Sequence, residues 1–266
     1  MNTSPTPSAA TTTGGGMLAD KVAFVSGAGR GIGAAAARLF ARESASVMLA
    51  ARTKSQLTDV VEGIRADGGR ADYTVCDLAD GASVRAAIDR TVEVFGRLDV
   101  AFNNGATIVP PGPLDTVREE DFDRVYEVNL RGVFIAMAAE VAAIRATSGR
   151  GAILNTSSIG SLMGNPELPS YGAMKRAVNS LTESAAVTYG PEGIRVNAIA
   201  PGSTLTEMIL EWDAASPGVI DRLIAQTPLR RMASPDELAE AALWLLSDRA
   251  SYVTGATLRV DGGAWV

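Results

Sequence analysis

The chain has 266 residues, 47% of them hydrophobic and 20% charged, enough to build a sizeable core in one large domain or two small ones. A net charge of −6 and the lack of any dense Lys/Arg run argue against nucleic acid as its main partner. With no histidine and a single cysteine, the chain excludes His-based triads, His general bases, His-ligated metal sites, an internal disulfide and a cysteine zinc cluster.

Acid–base chemistry is thereby left to Tyr, Lys, Asp, Glu and Ser, with no metal site expected. Residues 1–17 begin "MNTSPTPSAATTTGGG", a Ser/Thr/Pro/Gly tract that reads as a flexible tail, with one folded domain over 18–266. The tract has neither the charged nor the apolar region of a secretory signal, and no later run is long enough for a membrane span. A cytoplasmic protein without a membrane partner is expected.

From Lys21 onward, short apolar runs alternate with helical patterns. "KVAFVSG" reads as a strand and "GAAAARLFARE" as an Ala-rich helix. "ASVMLAA" is a second strand, followed by the helix "SQLTDVVEGIRADG", stopped by Gly68 and Gly69. "ADYTVCDL" is a third strand, in which Cys76 reads as a small buried hydrophobe. The helix "GASVRAAIDRTVEVFG", the strand "LDVAFNNG" and a long helical region over "EEDFDRVYEVNLRGVFIAMAAEVAAIRA" come next. "GAILNTSS" is a fifth strand, "SYGAMKRAVNSLTESAAVTYG" a helix and "IRVNAIAPG" a sixth strand. "SPDELAEAALWLLSD" opens with Ser234, Pro235 and Glu237, a capping box with proline at the first helical position. "GATLRVDGG" is the seventh strand.

Strict alternation with near-continuously apolar strands predicts an α/β fold, a doubly wound parallel sheet of about seven strands with helices on both faces, the Rossmann arrangement. Ligands in such sheets bind beyond the C-terminal strand ends, where the strand order switches.

That rule directs attention to residues 26–33, "SGAGRGIG". Gly29, Gly31 and Ala34 fit one glycine pattern, and Gly27, Gly31 and Gly33 fit another. In either register, glycines let the backbone turn tightly and approach a pyrophosphate seated at the positive helix N-terminus. An NAD site usually carries an acid about twenty residues further on, for the ribose 2′-hydroxyl. Residues 44–58 contain none: Ala51 stands at that place, followed by Arg52, Thr53 and Lys54, and Arg30 lies in the glycine turn. Because a guanidinium can hold a 2′-phosphate by paired hydrogen bonds, NADP(H) is favoured over NAD(H).

A second motif is "SYGAMK" at 170–175, where Tyr171 and Lys175 stand four apart and share one helical face. A lysine ammonium roughly 4–6 Å from a phenol favours the phenolate by about 3–4 kcal/mol at an effective dielectric near 20. That is enough to bring the tyrosine near working pH.

With "SGAGRGIG" and "YGAMK" in place, the chain resembles the short-chain dehydrogenase/reductase family, in its shorter single-domain branch, over essentially 18–266. "NNGA" at 103–106, "NTSS" at 155–158, "RVNAIAPGSTLT" at 195–206 and "SYVTGATLRVDGG" complete the likeness. The resemblance implies interconversion of a ketone and a secondary alcohol by hydride transfer. Tyr171 is then the general acid/base, Lys175 its tuning charge and ribose clamp, and Ser158 the carbonyl orienter, preferred over Ser157. Asn129 is the fourth catalytic residue, perturbing the long helix and holding a proton-relay water. The family pattern puts the glycine turn (Gly27, Arg30, Gly31, Ile32, Gly33) and Arg52 on the cofactor, with Asp77 and Leu78 by the adenine. Asn103, Asn104 and Gly105 line the groove, Pro201, Gly202 and Thr204 follow, and Thr206 meets the nicotinamide carboxamide. Tyr171 and Lys175 also contact the cofactor.

Two departures stand out. Ser26 replaces the usual threonine, and "NNGA" inverts the common "NNAG".

The segment 203–228 suits a mobile lid. Leu162, Met163, Ile209 and Trp212 are candidates for an apolar pocket, and no basic cluster offers a carboxylate clamp, so a neutral, fairly apolar substrate is expected. The resemblance implies a homotetramer or homodimer, with the helix around 171–189 and the C-terminus as interfaces. Alternatives left open are an NAD-dependent alcohol dehydrogenase, a dinucleotide-sensing regulator and a halohydrin dehalogenase on the same fold.

Overall fold

The computed structural model describes residues 15–265; residues 1–14 of the expected tail lie outside the described residues. Met17 and Leu18 already belong to the packed body. Leu18 is fully buried, and its N–H donates to the Glu43 carbonyl at 3.1 Å.

Seven strands form one parallel sheet: β1 (Val22–Ser26), β2 (Ser46–Ala51), β3 (Arg70–Val75), β4 (Val100–Asn103), β5 (Gly151–Thr156), β6 (Ile194–Pro201) and β7 (Thr257–Val260). Their spatial order is β3-β2-β1-β4-β5-β6-β7. Side chains alternate across each strand, so both faces must be apolar when both are covered. In β1, Ala23 and Val25 enter one core while Phe24 enters the other.

The first core is closed by α1 (Gly31–Arg42), α2 (Lys54–Ala66) and α9 (Pro235–Leu246), and the second by α3 (Gly81–Phe95), α5 (Gly132–Thr147) and α6 (Pro169–Tyr189). Ala34, Ala35, Ala36 and Ala37 are all buried in the first core. The expected capping box opens α9: Ser234 accepts from the Glu237 N–H, and Glu237 accepts from the Ser234 N–H.

The long helical region is broken in two. α4 (Glu119–Tyr126) passes through one π-helical turn, Glu127–Arg131, into α5, and Asn129 sits in that turn. Such turns insert a residue and re-aim the backbone, often at functional sites.

The lid is helical. It leaves the sheet after β6, forms α7 (Glu207–Ala215) and α8 (Val219–Gln226), and returns at Ala233. Its two ends are pinched together, because Leu205 N–H donates to the Ala233 carbonyl and Ala233 N–H to the Ser203 carbonyl. Among the described residues, no helix is long and apolar enough to cross a membrane.

Candidate active site

The strand order reverses between β1 and β4, and a cleft of about 850 Å³ opens beyond their C-terminal ends. That volume is within the range of small-molecule and cofactor sites. Its floor is where two backbones nearly touch. A side chain on Gly27 (φ +67°) would come within 2.6 Å of the Gly105 Cα, and one on Gly33 within 2.3 Å of the Gly27 carbonyl oxygen. Ser26 ties the two segments together, its hydroxyl accepting from the N–H groups of Asn104 (3.2 Å) and Gly105 (3.3 Å). The hydroxyl performs this task, so serine serves as well as threonine. Glycine at 105 suits the crowding, since a Cβ there would meet Leu78 at 2.4 Å.

A dinucleotide fits this frame. The glycine turn leads straight into α1, whose first turn has no side-chain cap, leaving backbone N–H groups and the positive helix end for a pyrophosphate. Gly27, Arg30, Gly31, Ile32, Arg52, Asp77, Leu78, Asn104 and Gly105 line the cleft, as do Pro201, Gly202, Thr204 and Thr206. Gly33 lies beneath the turn, where its missing side chain lets the turn close.

Asn103 departs from expectation. It does not line the groove but is 3% exposed and points into the core, because strand alternation gives the cleft to Asn104. Its amide donates to Glu140 Oε2 (3.0 Å) and to Asn155 Oδ1 (3.1 Å). Leu162 is likewise absent from the cleft wall, whereas Met163, Ile209 and Trp212 are present.

At the other end of the cleft stand Ser158 and Tyr171. Ser158 follows β5, and its Oγ accepts the Gly160 N–H at 3.1 Å, which leaves the hydroxyl hydrogen for another partner. Ser157 is 1% exposed, and its hydroxyl is taken up by Ser161 (2.9 Å) and the Lys175 carbonyl (3.3 Å). Tyr171 lies in the first turn of α6. Lys175, one turn on, is 1% exposed, and its Nζ is 2.7 Å from the Thr156 carbonyl and 5.7 Å from the Tyr171 ring centroid. Burial lowers the lysine to about 8.

Tyr171 departs from the direction the lysine alone predicts. In the protein by itself burial dominates and pushes the phenol above its usual value, against the smaller downward pull of Ser158. The ammonium spends its hydrogen bond on Thr156 rather than on the phenol.

Asn129 is fully buried, and both ends of its amide are engaged with Thr107. Its Oδ1 accepts the Thr107 N–H and its Nδ2 donates to the Thr107 carbonyl, each at 2.8 Å. It locks the 104–108 segment of the cleft wall onto the helix break.

Arg222, its partner Glu167, Glu211 and Glu140 escaped the sequence reading. Arg222 joins the expected Arg30 and Arg52 on the cleft wall, and two of these three arginines are already paired: Arg30 with Glu211 of α7 (2.5 Å), and Arg222 of α8 with Glu167 (3.0 Å). Among the described residues Arg52 has no carboxylate partner. Glu140 is fully buried beneath the floor, and burial pushes its carboxyl up to about 8. Its Oε1 and the Asn103 Oδ1 both lack a hydrogen-bond donor. A neutral Glu140 avoids leaving a buried charge with one of its oxygens unpartnered. A lone acid inside "FIAMAAEVAAI" was the signal available in the sequence.

Comparison with known proteins agrees with this geometry. A family model described as Enoyl-(Acyl carrier protein) reductase matches residues 27–264. The chain is 46% identical to the A-factor type gamma-butyrolactone 1′-reductase (1S-forming) of Streptomyces virginiae, over 93% of this chain and 96% of that one. It is 41% identical to the cis-4-hydroxycyclohexanecarboxylate dehydrogenase of Sinomonas cyclohexanicum, over 94% and 98% respectively. The crystal structure of a dehydrogenase/reductase from Sinorhizobium meliloti 1021 superposes with a TM-score of 0.86 at 35% identity, covering 94% of this chain and 96% of that one. The chain therefore belongs to the short-chain dehydrogenase/reductase family, and it is an NAD(P)-dependent oxidoreductase that interconverts alcohols and carbonyl compounds.

Proposed function

We propose that the protein, as a single domain from about Leu18 to Val266, is an NADP(H)-dependent reductase of neutral, fairly apolar ketones, reversible toward the secondary alcohol, with Tyr171 as general acid/base. The observation that carries the cofactor choice is Arg52. It faces the cleft without a carboxylate partner just where β2 ends in Ala51 rather than in an acid. Bound there, the dinucleotide would exchange a hydride with the reacting carbon.

The chain's own residues handle the proton. A phenol held above its usual pKa is protonated at neutral pH, the form needed to give a proton to a carbonyl oxygen. The Ser158 hydroxyl, whose hydrogen turns to the Tyr171 oxygen in the protein alone, is the donor that orients the same carbonyl oxygen. Lys175, mostly protonated at pH 7 with its pKa near 8, carries the charge that favours the phenolate left behind. Asn129 spends one amide N–H and one oxygen lone pair on Thr107, which leaves its second N–H, its second lone pair and its backbone carbonyl to hold a relay water.

Ile108, Met163, Leu168, Ile209, Trp212 and Leu223 give the substrate half its apolar character. Both curated relatives bear the name of a small ring compound, which makes ring ketones the first substrates to try.

Exposed Trp244, Tyr252, Leu258 and Trp265 support a C-terminal homo-oligomer interface; α6 exposes only Val187 among its large hydrophobics, and Phe122, Tyr126 and Phe134 add a second apolar face on α4 and α5.

Steady-state rates with NADPH and NADH over a ketone and alcohol panel test the reading. Wild type should prefer NADPH, and Arg52→Ala should lower kcat/KM for NADPH about tenfold, the worth of roughly 1.4 kcal/mol. A strong wild-type preference for NADH would refute the cofactor assignment. Tyr171→Phe should cut kcat at least about 100-fold while still binding NADPH by calorimetry; unchanged carbonyl reduction would remove Tyr171 from its role.

A further inference from the structure

Arg222 lies in the substrate half of the cleft, one turn before Gln226, and both residues line the wall with Leu223. Its guanidinium meets Glu167 in a two-pronged contact, Nη1 to Oε1 and Nη2 to Oε2, each at 3.0 Å. Glu167 is held in place from below, because its carbonyl accepts the Gly112 N–H at 2.8 Å. It stands four residues before Tyr171, so at most about 14 Å of extended chain separates the two. The pair thus bridges the lid and the segment that delivers the catalytic tyrosine.

A guanidinium at this place is what a carboxylate-bearing substrate would require, because its planar fork matches a carboxylate. Here the fork is already filled by the same chemical group, supplied by the chain itself. A substrate carboxylate would have to displace an intramolecular partner and settle beside its negative charge. Both members are about 45% exposed, so the pair contributes little to folding, but discrimination needs only a difference between two ligands.

We propose that Glu167 is a specificity-determining residue: by occupying Arg222 it closes the substrate half to carboxylates and reserves the site for uncharged alcohols and ketones. The inference rests on the reading of the cleft as an alcohol/carbonyl site. The chain thereby differs in substrate class from a relative whose name carries a ring carboxylate.

The test compares cyclohexanol with 4-hydroxycyclohexanecarboxylate, two ring alcohols that differ in charge, using wild type, Glu167→Gln and the double variant Glu167→Gln/Arg222→Gln with NADP⁺ and NAD⁺. Wild type should favour the neutral alcohol at least tenfold in kcat/KM. Glu167→Gln should raise the acid-to-neutral ratio about tenfold or more, mainly through a lower KM for the acid, and added salt should shrink that gain. The double variant should lose it. Wild type using the acid as well as the neutral alcohol, an unchanged ratio in Glu167→Gln, or a gain that survives in the double variant each overturns the assignment. Failure of wild type to turn over any neutral alcohol or ketone overturns the underlying reading as well, and is recognised because no variant ratio can then be formed.

Discussion

Replacing Glu140 with glutamine should stabilise the protein, and by more as the pH rises. A glutamate in the unfolded chain releases its proton near 4.5, whereas burial keeps the folded one protonated to about 8. Between these values the folded state holds one proton that the unfolded state has lost, so stability falls as pH increases. Each pH unit in that window is worth about 1.4 kcal/mol. The contribution is fully present below about 4.5, has fallen by about 3 kcal/mol at pH 7, and is lost once pH passes 8. Glutamine has nearly the same shape, carries no proton to lose, and offers Asn103 an N–H donor and a carbonyl acceptor in place of the acid. Urea unfolding of wild type and Glu140→Gln at pH 5, 6, 7 and 8 isolates the effect, because every other titrating group is common to both. The difference in unfolding free energy should widen by about 1.4 kcal/mol per pH unit, up to roughly 3 kcal/mol at pH 7, with melting midpoints separating by about 2–4 °C per kcal/mol. Parallel curves, with a constant difference across this range, would show that Glu140 is ionised in the folded protein and would refute the reasoning.

Three further outcomes follow, two from close contacts in the cleft and one from open space on α2. Gly33→Ala should abolish NADPH binding by calorimetry and lower stability by roughly 2–3 kcal/mol, since its Cβ would lie 2.3 Å from the Gly27 carbonyl oxygen, backbone that cannot step aside. Gly63→Ala, in the exposed interior of α2 with nothing within 4 Å, should do the opposite and stabilise by about 0.5–1 kcal/mol in the same melting experiment. Glu211→Gln releases Arg30, so the NADPH-over-NADH preference in kcat/KM should rise about two- to fivefold, within the worth of an exposed ion pair; a fall would mean that Glu211 orients Arg30 rather than occupying it.

The sequence alone was sufficient wherever the determinant is local. Strand and helix periodicity gave an alternating α/β chain, the Ser234/Glu237 capping box marked the start of α9, and glycines at 27, 31 and 33 marked the turn into α1. The four-residue step from Tyr171 to Lys175 needed only the pitch of a helix. Spacing and resemblance named Ser158 rather than Ser157, and of the two Ser157 is the one whose hydroxyl is bound up with Ser161 and the Lys175 carbonyl.

What lay beyond reach depends on groups far apart in the chain. Strand alternation required the true end of β4 before it could turn Asn103 inward and Asn104 outward. The 203–228 segment folds as α7 and α8, and its ion pairs join residues 181 and 55 positions apart, so no local pattern announces them. Burial, unlike periodicity, is a property of the assembled sheet and its helices. It alone made Glu140 a neutral acid and set Tyr171 above its usual pKa rather than below it. The sequence by itself determined the fold class and which residue types could carry the chemistry. Only the tertiary structure decided which charges in the cleft are free, because Coulomb energy and desolvation depend on distance in space rather than along the chain.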